Sequence, residues 1–307
     1  MEEKSIIIHT NQTASPTKNF GGIAEEYSSL KRAKVVILPV PYEMTTTYKK
    51  GTKDGPQAII DASAYMELFD DELNQETYRI GIHTSSALDI ANVEPIGHMP
   101  DKVHLATSEL LKAGKFPVML GGEHSISVGA VKAFKEIYQN ISVLQLDAHY
   151  DLRDEYHGSK FNHGCVGRRI SEICPLVQVG TRSLSKEEKD FLSSPQSNGK
   201  VKTVSAYDIL ETPLWKDVIS NSLTENVYIT IDMDVFDPSL VPAVGTPEPG
   251  GIGWYETLDL LREIAKEKKV LGFDVVELCP IKDQISSDFL AAKLIYRMLG
   301  YIFLNKK

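Results

Sequence analysis

The chain has 307 residues, 42% hydrophobic and 24% charged, a composition that supports an ordinary buried core and excludes fibrous and wholly disordered classes. Its net charge of −9 argues against nucleic acid as a partner and suits cationic ligands. Three cysteines, Cys165, Cys174 and Cys279, form no CxxC pair, which fits a reducing compartment and core packing rather than a disulfide framework or a thiolate metal site.

Met1 to Ser5 place acids where a secretory signal needs a basic segment, so a cytoplasmic location is expected. Residues 10–22 carry no periodic apolar pattern, and 1–30 are read as an N-terminal arm ahead of one domain, 31–307. Runs rich in β-branched residues then predict strands at 34–40, 116–120, 141–146, 176–179, 227–231 and 270–276. Helical patterns lie between them at about 55–69, 100–114, 126–139, 185–193, 255–268 and 286–303. This alternation predicts an α/β fold whose mostly parallel sheet is covered by helices on both faces. The last helix is apolar from Phe289 to Leu304, but Lys293 and Arg297 interrupt it. It is also shorter than the roughly 20 residues a membrane span needs, so it reads as a buried or interface helix with no membrane partner.

Open α/β sheets gather ligands at the carboxyl ends of their strands, where the loops diverge. Four predicted strands end there in metal- or cation-binding groups: Gly121-Gly122-Glu123-His124-Ser125, Asp147-Ala148-His149-Tyr150-Asp151, Asp232-Met233-Asp234, and Glu277. In extended chain the side-chain period is two, so Asp147, His149 and Asp151 are expected to face one way, as are Asp232 and Asp234. With His124 they make a set of four carboxylates and two imidazoles, which suits manganese better than a thiolate-seeking ion. Four aspartates balance two divalent cations. A catalytic metal lowers the pKa of bound water from about 15.7 to about 7, which would supply a hydroxide nucleophile. Taken singly, each motif has a structural alternative: a capped Asp-x-Asp turn, a helix-terminal histidine, or a salt-bridged glutamate.

Together these residues resemble the ureohydrolases, the family of arginase, agmatinase, guanidinobutyrase and formiminoglutamase. The signatures stand as GGEHS at 121–125, DAHYD at 147–151 and IDMDVFDPSLVPAVGTPEPGG at 231–251. The resemblance implies a three-layer αβα fold with a central, mostly parallel sheet, shared with arginases and deacetylases. It implies two Mn(2+) per subunit, one held by His124, Asp147, Asp151 and Asp232, the other by Asp147, His149, Asp232 and Asp234. Glu277 would take the substrate guanidinium, His163 would shuttle protons at the cavity mouth, and Asp151 would pass a proton onward. Glu123 stands where many members have aspartate, and Tyr150 where a small residue is common.

The 152–161 loop lacks the Asn and Ser pattern by which arginases bind an α-carboxylate and looks instead like that of agmatinases, as does the 245–251 segment. Asp154 and Thr246 join the expected substrate-binding set, His157 rivals His163 for its role, and agmatine is the expected substrate. Guanidinobutyrate, aminopropylagmatine and arginine are alternatives within the family. A non-catalytic metal-stabilised scaffold and a single-zinc deacetylase-like protein are alternatives outside it. Family members form trimers or hexamers, so the resemblance implies a homo-oligomer.

Overall fold

In the computed structural model, residues 19–90 and 96–304 are described. The first half runs α1 (Glu25–Ser28), β1 (Val35–Val40), α2 (Gly55–Ser63), β2 (Phe69–Asp70), β3 (Gln75–Glu76), β4 (Ile82–Thr84), α3 (Met99–Lys112), β5 (Phe116–Gly121), α4 (Ser127–Ile137) and β6 (Ile141–Leu146). The second half adds α5 (Val166–Ile173), β7 (Leu176–Thr181), α6 (Lys186–Leu192), β8 (Val201–Ser205), α7 (Ala206–Glu211), α8 (Trp215–Ser222), β9 (Asn226–Asp232), α9 (Trp254–Glu267), β10 (Lys269–Val276) and α10 (Ser286–Leu304).

Eight strands form one sheet in the order β4-β1-β5-β10-β9-β6-β7-β8, and every pairing in it is parallel. β1 shows why both faces are covered: all six of its residues are buried. Val35 and Ile37 enter one apolar cluster with residues of α2, α8, α9 and α10. Val36, Leu38 and Val40 enter the other with residues of α3, α4 and α5. Period-two alternation thus serves two cores at once, and truncating a fully buried ring such as Phe273 to alanine costs about 3–5 kcal/mol.

All six predicted strands form. The edge strands β4 and β8 do not stand out in the sequence, because β4 has three residues and β8 buries only Val204 of its five. The helix predicted over 55–69 stops at Ser63. The chain then makes a β2–β3 hairpin whose turn is held by Asp70 Oδ1, which accepts from the backbone of Glu72 and Leu73. Arg297 of α10 pairs with Asp70, Asp71 and Glu72, and Lys293 donates to the Glu67 carbonyl. The two charges that interrupt the apolar run of α10 therefore fasten it to this hairpin. No helix among the described residues is long and apolar enough to cross a membrane.

The arm expectation changes from residue 19 onward: Phe20 and Ile23 are buried in the core, and the Gly21 amide donates to Ser63 Oγ. Residues 1–18 of the expected arm lie outside the described residues. All three cysteines are free and buried. Burial pushes the Cys165 and Cys174 thiols up to about 12, which leaves them inert as nucleophiles.

The sheet order settles what no single motif could. β5, β10, β9 and β6 are consecutive neighbours at the sheet's centre, and they are the four strands that end in the singled-out motifs.

Candidate metal centre

The ends of these strands turn the side chains inward by turns rather than by extended chain, and here the period-two expectation is corrected. β6 stops at Leu146, His149 makes an isolated bridge with Ser183, and Asp151 has φ 51. Asp232 ends β9 and caps a 3-10 turn, Met233–Val235, by accepting the Asp234 amide at 2.9 Å. Asp234 Oδ1 in turn accepts the Ala148 amide at 3.0 Å, tying the two loops together. Before His124, Gly122 passes so close to β1's end that a Cβ would lie 2.0 Å from the Tyr42 carbonyl oxygen. Only glycine fits there, which accounts for the second residue of the first motif.

His124 is fully buried, and its Nδ1 lies 3.2 Å from Asp147 Oδ2, 3.3 Å from Asp232 Oδ2 and 3.4 Å from Asp151 Oδ2. His149 Nδ1 lies 2.9 Å from Asp234 Oδ2 and 3.7 Å from Asp147 Oδ1. Two groups of donor atoms result, His124–Asp147–Asp232 and Asp147–His149–Asp234, each within 4.8 Å, with Asp147 in both. His124 Nδ1 is buried without a hydrogen-bond partner, although carboxylate oxygens of Asp147, Asp232 and Asp151 lie close around it. An imidazole nitrogen ringed by three carboxylates becomes a donor set for a cation once it releases its proton, and the residues present fit a pair of divalent ions.

The electrostatics agree. Burial, reinforced by the Asp147 charge, pushes Asp151 up to about 7. Asp232 is raised well above the carboxylate range by burial and by Asp234 and Asp147. Burial disfavours the charged form of His149, yet the Asp234 carboxylate holds it up to about 11. Burial also works against Asp234, but the same pair brings it down to about 2. In the absence of a metal ion, the carboxylates offset their mutual repulsion by retaining protons, as at Asp151 and Asp232, or by pairing with a charged imidazole, as Asp234 does with His149. Divalent ions would supply that compensation and release the protons.

Beside the centre lies a cavity of about 210 Å³ whose lining includes His163, Glu277, Thr246, Thr47, Arg153 and Tyr156. Glu277 is buried at φ 61, a conformation that costs a non-glycine residue on the order of 1–3 kcal/mol and is retained where the site needs it. Its Oε1 accepts the His124 amide at 2.7 Å and lies 3.8 Å from His163 Nδ1. Burial, with the Glu123 charge, pushes the Glu277 carboxyl well above its usual range. His163 is brought down to about 4, first by burial and then by the charges on His149 and His124. His157 is exposed, stacks on Tyr156 and is not in the cavity lining.

Asp154 departs from expectation. Its carboxylate is held by Arg169 at 2.6 Å and Lys160 at 3.3 Å, and it does not line the cavity. Adjacent basic residues in the fold, invisible in the local sequence, claim it. Tyr150 sits in the apolar core beside the loop rather than in the cavity.

The Arginase family profile matches residues 33–300. The chain belongs to the arginase family. Its members hydrolyse guanidino C–N bonds, and the chain is a hydrolase of that class. It is 38% identical over 285 residues to the N(1)-aminopropylagmatine ureohydrolase of Synechocystis sp., covering 91% of this chain and 92% of that one. It is 38% identical over 274 residues to the agmatinase of Pyrococcus horikoshii, covering 88% and 93%. Among solved structures, the agmatine ureohydrolase of Thermoplasma volcanium superposes with a TM-score of 0.82 at 30% identity, covering 93% of this chain and 94% of that one.

Two residues that shape this arginase-family site have no role assigned from the sequence: Glu123, noted there only as a longer acid, and Arg182. Glu123 is fully buried. Its Oε2 accepts the Met44 and Thr45 amides, both at 2.6 Å, and its Oε1 accepts the Thr45 hydroxyl. Thr45 Oγ1 accepts the His163 amide, so the longer acid in the first signature fastens the loop that seats His163. Arg182 donates to the carbonyls of Gly180, Asp234, Val235, Phe236, Glu248 and Pro249. It thereby locks the Asp234 turn to the segment that carries Thr246. Its only sequence signal was a cation just past a strand end, beside the acidic motifs.

Proposed function

We propose that this chain hydrolyses a guanidino amine with two manganese ions, releasing urea, and that agmatine is the substrate, with putrescine as the amine product. The observation that carries this reading is the pair of three-donor groups sharing Asp147, beside a cavity whose lining includes the buried carboxylate of Glu277, just past the end of β10. His124, Asp147, Asp151 and Asp232 would hold one ion, and Asp147, His149, Asp232 and Asp234 the other. When bound, the ions lower the pKa of water enough for it to attack a resonance-stabilised carbon at neutral pH.

The chain's own residues do the rest. Glu277 accepts hydrogen bonds from the planar guanidinium and fixes its carbon facing the aspartates; this negative, preorganised wall favours the charge carried through the transition state. Asp151 takes the proton of the attacking water. His163, largely neutral because of its burial, is placed to exchange protons between the leaving amine and solvent at the cavity mouth. Thr246 lines the path of the substrate's tail.

A second substrate reading is N(1)-aminopropylagmatine, favoured by the 38% identity to the Synechocystis enzyme over nearly the whole of both chains. We read the assembly as a homo-oligomer on family grounds. The test is urea release from agmatine, N(1)-aminopropylagmatine, guanidinobutyrate and arginine after manganese loading, with metal content counted per chain. Turnover of the two amine-tailed substrates, with two ions bound, is the expected result. Preference for a carboxylate-tailed substrate, or a single bound ion at full activity, refutes it.

A further inference from the structure

Beneath His124 lies a fully buried carboxylate that takes no part in the reaction above. Asp274 stands on β10 with 0% exposure. Its Oδ2 accepts the Tyr228 hydroxyl at 2.6 Å and its Oδ1 accepts the Thr230 hydroxyl at 2.5 Å, both from the neighbouring strand β9. Thr230 Oγ1 also lies 2.9 Å from His124 Nε2, with Ser127 Oγ at 3.3 Å. The chain His124–Thr230–Asp274–Tyr228 is sealed from solvent throughout.

We propose that Thr230 and Asp274 are positioning residues that fix His124 as a metal ligand through Nδ1, an inference that rests on the metal-centre reading. A hydroxyl has one proton and a carboxylate has none. Thr230 gives its proton to Asp274, so at the histidine it can only accept, and Nε2 must carry the hydrogen. In the neutral imidazole Nδ1 is then the nitrogen with the lone pair, and this is the atom that faces Asp147, Asp151 and Asp232 without a hydrogen-bond partner. Tyr228 holds the second oxygen of Asp274 and stops the carboxylate from turning away. The hydroxyl sits between imidazole and acid where metal sites commonly use a direct carboxylate–histidine contact, and such outer partners are worth about 10–100-fold in metal affinity.

Thr230→Val keeps the branched shape and removes the acceptor, whereas Thr230→Ser keeps the hydroxyl. Manganese binding to the full-length protein is followed by the electron paramagnetic resonance of the free ion, alongside melting of the metal-free proteins. For Thr230→Val the expected result is a loss of about 10–100-fold in affinity for one of the two ions, the other being retained. Thr230→Ser stays within a few-fold of wild type, and metal-free Thr230→Ser and wild type melt together. Asp274→Asn, which can turn an N–H toward Thr230, should weaken the same ion if Thr230→Val fails to fold. Unchanged binding by Thr230→Val or Asp274→Asn, or equal loss in Thr230→Ser, overturns the inference while leaving the metal centre intact. Absence of manganese binding by the wild type overturns both.

Discussion

Asp232→Asn separates function from stability at this site. The amide keeps the shape of the side chain, and its Oδ1 can still accept the Asp234 amide, so the 3-10 turn survives. What changes is one of four buried carboxylates. In the metal-free protein, burial and the charges of Asp234 and Asp147 outweigh the attraction of His124 and hold the Asp232 carboxyl well above its ordinary range. The wild-type residue is therefore a net liability near pH 8. Two like charges about 4 Å apart repel by about 4 kcal/mol at an effective dielectric of about 20. Allowing for the lost attraction to His124, the variant should gain about 2–3 kcal/mol. At about 2.1 cal/mol/K of unfolding entropy per residue, a chain of 307 residues converts this to roughly 4 °C.

With manganese the order should reverse. Each ion at 100 times its dissociation constant stabilises the wild type by about 2.7 kcal/mol, and a variant that has lost a shared ligand forgoes most of that, together with urea release. The assay is thermal melting of both proteins, chelated and manganese-loaded, at pH 8 and again near pH 4. At the lower pH, aspartic acid and asparagine are both neutral, and the apo difference should vanish. If chelated Asp232→Asn melts below chelated wild type at pH 8, the carboxylates are not in mutual repulsion and the reasoning fails.

Further outcomes follow from the same geometry. Glu277→Gln should retain two ions yet lose about 10²–10³ in turnover, the size expected for removing one preorganised electrostatic partner; metal content measured beside urea release checks both halves. Arg182→Met strips the donors from six carbonyls and should lower stability by about 3 kcal/mol, as for lost charged hydrogen bonds. Urea denaturation measures this, with a raised KM showing that the segment carrying Thr246 has shifted. Metal-free wild type should lose stability as pH rises from about 4 to 7. Asp151, pushed up to about 7 by burial and the Asp147 charge from the ordinary aspartate value of about 3.9, binds a proton in the folded state that the unfolded chain has released, and at 1.36 kcal/mol per unit the cost reaches about 4 kcal/mol. Manganese-loaded protein should not show this fall, because its ligands are already deprotonated; parallel melting curves in the two states would contradict the assignment.

The amino-acid sequence by itself determined six of the eight strands of the main sheet, their two-sided burial and the residue types gathered at the candidate site. β-branched runs such as Val35–Val40 can be satisfied only inside a covered parallel sheet. Each of the DAHYD and DMD segments taken alone has a structural alternative, but their joint occurrence at strand ends points to a metal site. Tertiary structure alone decided that β5, β10, β9 and β6 are neighbours, which brings His124, Asp147, Asp232 and Glu277 together from positions up to 153 residues apart. It also decided that turns, at Asp151 and after Asp232, aim these side chains where extended chain was expected. Asp154 read as a substrate contact until Arg169 and Lys160 were found to hold it, and Glu123, Arg182 and Asp274 gave little outward sign of their parts. Their effects depend on which backbone or hydroxyl groups lie within 3 Å, and contacts between distant segments are set by packing rather than by local pattern.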